Sequence, residues 1–190
     1  GNSKFKILAG EIFENDATGV EIINALKEAA IRNVKIYMLL DGYGSYSFPN
    51  LILKELTQLG INIRFFSPLL SRNNFNIGRR LHHKIIMADA TVVLIGGINI
   101  SNNYRGTSAE NPWLDYAIQI ESNETAMQIN QLCQNIYFKH KKTQKIKLPP
   151  AAYSDKETTV SILLNDWLKR NNEIAMAYVK SIQKAQKEIV

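Results

Sequence analysis

Val34 to Leu40 (VKIYMLL) restricts the architecture of this chain more than any other stretch. A nearly continuous apolar strand of this kind belongs in a parallel sheet covered on both sides. Its neighbours alternate with it. Lys4 to Phe13 (KFKILAGEIF) reads as a mostly buried strand, stopped by Asp16-Ala17-Thr18-Gly19, and Ile61 to Phe66 reads as a third strand. Between the first two strands, Ile22, Ile23, Leu26, Ala29 and Ala30 share one helical face, and Thr18 with Glu21 forms a capping-box pattern at its start. Pro49 to Gly60 reads as a second helix, closed by Gly60. The order β-α-β-α-β predicts right-handed crossovers and an α/β sandwich. Asp41 to Ser45 (DGYGS) is expected as a flexible loop at the C-terminal end of the second strand, where α/β proteins often place ligands.

Ser67 to Arg80 is polar and irregular, and its Arg72, Arg79 and Arg80 lead into Leu81 to Asn99 (LHHKIIMADATVVLIGGIN). Ile85 to Ala88 and Thr91 to Ile95 are short, β-branched-rich apolar runs, and Asp89-Ala90 is a tight connection, so the stretch reads as a hairpin. Residues i and i+2 of an extended strand share a face, which projects His82 and Lys84 together and sends His83, expected as a packing residue, to the other side. Gly96 and Gly97 are expected to let the backbone approach a ligand, with the Asn99 amide just beyond them. An imidazole, an ammonium and a carboxamide meeting at one point suit a phosphate, as one nucleophile and two donors.

After Asn99 come a short segment to Tyr104, a Gly/Ser/Asn-rich loop from Arg105 to Pro112, and a strand from Trp113 to Glu121. Trp113 is expected in the core or a pocket wall. A helix from Asn123 to about Lys141 carries Met127, Ile129, Leu132, Ile136 and Tyr137 on its apolar positions, and ends in Lys139-His140-Lys141-Lys142, read as a solvated end that suits the helix dipole, with a functional basic patch as the alternative. Cys133, the one cysteine, excludes an intrachain disulfide and sits where a small core residue is expected. Leu148-Pro149-Pro150 to Tyr153-Ser154-Asp155 reads as a linker. Asp166 to about Glu188 then reads as an amphipathic helix with Ile174, Ala177, Tyr178, Ile182 and Ala185 on one face, which needs a partner. The net charge of +6 points weakly to an anionic partner, either nucleic acid or a phospholipid surface. No apolar run is long enough to span a bilayer, and the abrupt start at Gly1-Asn2-Ser3 suggests a piece of a longer protein.

The pattern H-x-K-x4-D-x6-G-G-x-N, filled here by His82, Lys84, Asp89, Gly96, Gly97 and Asn99, resembles the HKD signature of the phospholipase D superfamily. The stretch GEIFENDATGVEIINALKEAAIRNVKIYMLLDGYGS resembles the opening of the N-terminal half of its cardiolipin synthase-like members. GGINISNNYRG followed by Trp113-x-Asp115 resembles the same subgroup after its motif, and LLNDWLKRNNEIAMAYVKSIQKAQKEI the segment that begins its second half. The resemblance implies a phospholipase D-like α/β sandwich, with a mixed, mostly parallel sheet flanked by helices. It also implies a catalytic domain over residues 1–147, a linker over 148–164, and over 165–190 a terminal helix that starts a second half absent from this chain. Two positions depart from the usual signature: Ala90 replaces a common glycine, and Gly97 stands where many members have serine.

By that resemblance the chemistry is metal-independent phosphodiester cleavage or transfer, with no cofactor. His82 would form a phosphohistidine, and Lys84 and Asn99 would hold the non-bridging oxygens, with Gly97 part of the substrate site. Asp115 would orient the His82 ring, while Asp89 belongs to the signature in a structural role beside the hairpin turn. The second histidine would come from another HKD half or a homodimer mate. Arg72, Arg79, Arg80 and Arg105 either line the entrance or are plain surface charge. The implied activity is a cardiolipin synthase-type phosphatidyltransferase or phospholipase working on a phospholipid at a membrane surface. Its implied place is the cytoplasm or the periphery of a bacterial inner membrane, with any anchor outside this stretch. A nuclease-like phosphodiesterase acting as a dimer, and a catalytically silent half-domain, stand as alternatives.

Overall fold

The computed structural model describes residues 5–10, 12–46, 48–66, 80–89, 91–106, 111–138, 160, 162–163, 165–166 and 171–189. Two units are distinguished, Gly1–Gln144 and Lys145–Val190.

The first unit is built on a six-stranded sheet. Its strands are β1 (Phe5–Gly10), β2 (Lys35–Asp41), β3 (Asn62–Phe66), β4 (Ile85–Ala88), β5 (Val92–Gly96) and β6 (Ala117–Glu121), in the order β3-β2-β1-β4-β5-β6. β1 pairs with β2, and β2 with β3, in parallel. The connections are α1 (Ala17–Ile31) and α2 (Asn50–Gln58), which matches the alternation in the sequence. β4 then lies antiparallel on the other side of β1 and leads through the expected hairpin to β5 and on to β6. The sheet is therefore mixed, but the expected parallel majority does not hold: three of its five pairings are antiparallel. For β4 and β5 the reason is connection length, since the short link between the paired residues Ala88 and Val92 can only reverse the chain.

Helix α1 starts two residues earlier than the capping-box pattern suggests. Asp16 is its N-cap, and the Asp16 carboxylate accepts the Gly19 N–H at 2.9 Å. Thr18 is committed elsewhere, donating from N and Oγ1 to Asn102 Oδ1 at 3.0 and 2.8 Å. Gly60 follows α2 at φ +81°, the left-handed position expected of a glycine beyond a helix end. The strand predicted over Trp113–Glu121 begins only at Ala117.

Two layers cover the sheet unequally. On one face Ile36, Met38 and Leu40 of β2 join Ile23 and Ala29 of α1, Leu56 of α2, Phe13, Phe48 and Ile61 in one core cluster. On the other face α4 (Asn123–Phe138; α3 is the short helix Asn102–Arg105) buries Ala126, Ile129 and Cys133. The Tyr37 ring meets those of Tyr137 and Phe138 edge-on at 5.4 and 6.1 Å. Pairing register places Met87 and Val93, both fully buried, on the α4 face with Tyr37. Ile86 and Leu94 fall on the opposite face beyond the edge of α1, and remain 36% and 39% exposed.

In the second unit Asn165–Asp166 and Asn171–Asn172 pair as a two-residue antiparallel ladder (β7 and β8), and α5 runs from Glu173 to Lys184. The helix expected from Asp166 thus begins seven residues later. Ile174, Met176, Tyr178, Val179 and Ile182 are exposed along it. The basic end Lys139–Lys142 and most of the expected linker lie outside the described residues.

Burial pushes the Cys133 thiol up to about 12. The thiol is therefore protonated and shielded at neutral pH. Cys133 should react with a thiol reagent on the order of 100-fold more slowly in native buffer than in denaturant, read by the rate of disulfide exchange with a chromogenic reagent. Equal rates would contradict the α4 packing.

Candidate active site

The parallel strands β1 and β2 finish at Gly10 and Asp41, and β5 finishes at Gly96, all at one end of the sheet. β4 and β6 start from that same end, at Ile85 and Ala117. The motif residues gather there because His82 and Lys84 lie just before β4, Asn99 just after β5 and Asp115 just before β6. Lys84 already belongs to the ladder, its carbonyl accepting the Gly96 N–H at 3.3 Å. Its Nζ turns back to the His82 carbonyl at 3.3 Å. His82 is exposed.

The two glycines make room for the protein's own chain. A Cβ built on Gly96 would lie 2.2 Å from the Tyr116 carbonyl oxygen, and one on Gly97 would lie 2.2 Å from Asp115 Oδ1. Both are needed because the chain entering β6 presses against them, with the Gly97 N–H bonded to the Tyr116 carbonyl at 3.0 Å. The close approach is made by the protein's own backbone. Its result is to seat the Asp115 carboxylate directly on Gly97, where Oδ1 also accepts the Tyr116 N–H at 2.7 Å.

Asn99 is held by Tyr104, whose hydroxyl oxygen lies 3.1 Å from Nδ2. Its Oδ1 is buried without a hydrogen-bond partner, which costs about 1–3 kcal/mol. A half-turn of the amide would put the Nδ2 donors at that vacant position, and the Tyr104 hydroxyl could then donate to Oδ1. The carboxamide thus has a donor to offer a neighbouring anion. The chain beyond Asn99 is tied to the start of α1. Ile100 bridges to Phe13, Ser101 Oγ donates to Glu14 Oε2 at 2.6 Å, and the Asn102 N–H donates to Asp16 Oδ2 at 2.5 Å.

Asp41 was not legible as a site residue, because the DGYGS stretch reads as a flexible loop. It is instead wound into a compact turn. The Asp41 carboxylate, 1% exposed, accepts the Tyr43 and Gly44 N–H groups, Arg80 Nε and the Leu81 N–H at 2.8–3.0 Å. The available signal was a carboxylate closing an otherwise apolar strand at its C-terminal end. Tyr104 carried no comparable signal.

A cavity of about 220 Å³ opens between α1 and the half of the sheet that α1 leaves uncovered. Lys84 and Asn99 lie on its wall, which is otherwise mostly aliphatic: Ile12, Ile22, Ile86, Leu94 and Ile98.

The other sequence candidates fall into place less evenly. Asp89 sits in the hairpin turn at the far end of β4, with φ +53°. Asparagine and aspartate tolerate that left-handed conformation better than other side chains, which accounts for Asp89 without a part in the site. His83 is exposed as a whole residue. Local desolvation of its ring, then the charges of His82 and Lys84, lower its pKa below the ordinary 6.5. Trp113 is 62% exposed, edge-on to Tyr104 at 5.7 Å, so it is not a core residue. Arg105 pairs with Glu21. Arg72 and Arg79 lie outside the described residues.

Residues 3–137 match the family model described as "Cardiolipin synthase, PLD-like domain". The chain is 29% identical over 195 residues to cardiolipin synthase B of Escherichia coli (strain K12), covering 97% of this chain and 46% of that protein. It is 25% identical over 180 residues to cardiolipin synthase A of Pseudomonas putida, covering 94% of this chain and 37% of that one. The chain thus spans less than half the length of these curated relatives. Among solved structures, NucT from Helicobacter pylori aligns with a TM-score of 0.53 at 20% identity, over 70% of this chain and 77% of that one. Phosphatidylserine synthase of Haemophilus influenzae aligns with a TM-score of 0.53 at 19% identity, over 72% of this chain and 32% of that one. These two share the fold.

Gly97→Ala should displace the Asp115 carboxylate while leaving the core alone. A change in unfolding free energy below about 1 kcal/mol is expected, together with a chemical-shift change at Tyr116 N–H, whose acceptor moves. An unchanged Tyr116 signal would mean that Asp115 does not rest on Gly97.

Proposed function

The chain belongs to the cardiolipin synthase, PLD-like domain family, and from that membership we propose that it cleaves or transfers a lipid phosphodiester through a phosphohistidine on His82. In the first step an N–P bond forms at His82 as the P–O bond to the leaving alkoxide breaks. A second histidine, from another HKD half or a second copy of the chain, protonates that alkoxide. In the second step the same histidine takes the proton of an acceptor hydroxyl, either a lipid glycerol or water, as it attacks phosphorus and releases His82. Lys84 and the Asn99 amide stabilise the non-bridging oxygens as charge builds on them. Asp115, seated on Gly97 at the same end of the sheet, is the carboxylate that orients the His82 ring.

The observation that carries the lipid assignment is the cavity. Its lining includes Lys84 and Asn99, though not His82, and is otherwise mostly aliphatic, which suits the apolar body of a lipid beside the pair that holds its phosphate. A polynucleotide would instead ask for a basic groove with stacking platforms. Trp113, Leu114 and Tyr116, all exposed beside Asp115, form a surface that a second half would cover. Among the described residues no helix is long and apolar enough to cross a membrane. We place the activity at the periphery of a bacterial inner membrane, where the donor lipid resides.

The test, run on a dimer of the chain or on the chain joined to a second HKD half, is turnover of a short-chain phospholipid below and above its micellar threshold, beside a single-stranded oligonucleotide at two salt concentrations. Expected is lipid turnover that rises with micelle formation and falls on the order of 10³-fold or more in His82→Ala. Because His82 is exposed, that variant should fold normally. Oligonucleotide cleavage that weakens steeply with salt and ignores micelles would reverse the substrate assignment. Turnover that survives His82→Ala would remove the phosphohistidine.

A further inference from the structure

The exposed His82 ring is carried on a short bridge between two fixed points. On its C-terminal side, Lys84 is held in the sheet by the Gly96 N–H. On its N-terminal side, Leu81 is 1% exposed, and its N–H donates to Asp41 Oδ2 at 2.8 Å. The other carboxylate oxygen, Oδ1, accepts Arg80 Nε at 2.9 Å and the Tyr43 and Gly44 N–H groups at 3.0 and 2.8 Å. The Arg80 guanidinium in turn lies over the Tyr43 ring, 4.4 Å from its centroid. Two of the four donors on this buried carboxylate therefore come from the two residues that immediately precede His82. A buried carboxylate must keep its partners, so it holds those residues as firmly as they satisfy it.

We infer that Asp41 is the positioning residue for His82. By gripping Leu81 and Arg80 from the end of β2, it fixes where the chain enters the motif and hence where the His82 imidazole stands. The proposal rests on His82 being the nucleophile. A nucleophilic ring that must meet phosphorus in line gains from such a support, since a displacement of about 1 Å costs on the order of 100-fold in rate. A carboxylate serving only its own turn would need the Tyr43 and Gly44 N–H groups and no more. The Leu81 bond, 40 residues away in sequence, is what makes Asp41 part of the site.

Asp41→Asn is the first variant. It keeps an oxygen for the turn but faces the Leu81 N–H with a second donor. Hydrogen exchange at the Leu81 amide should rise about 10- to 100-fold, the loss expected for a charge-assisted bond. Nuclear relaxation of the His82 ring should report increased motion, and kcat should fall about 10- to 100-fold with KM unchanged. Arg80→Gln, which leaves the Leu81 bond in place, should change Leu81 exchange and His82 ring relaxation less. Should Asp41→Asn fail to fold, replacing the Leu81 amide by an ester through semisynthesis removes that one donor, with the same ring motion and kcat loss expected. Unchanged His82 ring relaxation in a folded variant overturns the proposal, whatever the activity. Turnover that survives His82→Ala overturns the nucleophile assignment instead, while Leu81 exchange and ring relaxation still decide the role of Asp41.

Discussion

Asp16 accepts two backbone N–H groups from opposite parts of the chain, Gly19 in the first turn of α1 and Asn102 just past the motif. The first caps a helix at the end where its dipole favours negative charge. The second, with the Thr18 bonds to Asn102 Oδ1 and the Ile100–Phe13 bridge, fastens the end of the motif to the same place. Asn99 is three residues from that anchor. α1 supplies Thr18 and Ile22 to the cavity wall and the motif supplies Lys84 and Asn99, so this one carboxylate sets the width of the cavity as well as the start of the helix. Bonds to a charged acceptor contribute about 1.5–3 kcal/mol each, enough for the two segments to behave as one body.

The sheet shows why a cavity exists at this spot. β2 is covered on both faces and needs apolar residues on both, which is why Ile36, Met38, Leu39 and Leu40 are all buried. Among the described residues, β4 and β5 are covered by α4 on one face only. Their alternation, Ile85 and Met87 buried beside a more open Ile86, follows from that. The uncovered side is still apolar at Ile86 and Leu94. An apolar surface left open beside an ammonium and a carboxamide is poorly explained by stability alone, since burying it would be favourable. In the proposed function it receives the apolar part of the lipid.

Much of the architecture was legible because it is written in short-range pattern. The unbroken apolar run of β2, the 3.6-residue spacing of α1 and the two short runs around Asp89 each declare their element within about ten residues. The placement of His82 and Lys84 before the hairpin was legible for the same reason. Other readings went wrong where a distant partner overrode the local signal. Thr18 looked like a cap but bonds Asn102, and DGYGS looked flexible but is wound around the buried Asp41. Gly96 and Gly97 carried no local sign that the chain entering β6 presses on them. Trp113 was expected in the core or a pocket wall yet lies exposed, and the strand begins only at Ala117, because the chain reaches the sheet edge only once it has passed the glycine pair.

By itself, then, the sequence determined the kinds of element, their order and the chemical groups of the motif. These depend on side-chain periodicity and on spacing along a single chain, both of which are local quantities. The tertiary structure alone decided that β4 lies antiparallel against β1, that Asp41 bonds the Leu81 N–H just before His82, that Asp115 rests on Gly97 and that, among the described residues, the side of the sheet carrying Ile86 and Leu94 stays open. Each of these is a contact between segments far apart in the chain, and no local pattern encodes the partner. It is settled when buried polar groups must find donors and apolar faces must find cover, which happens only once the whole sheet has formed.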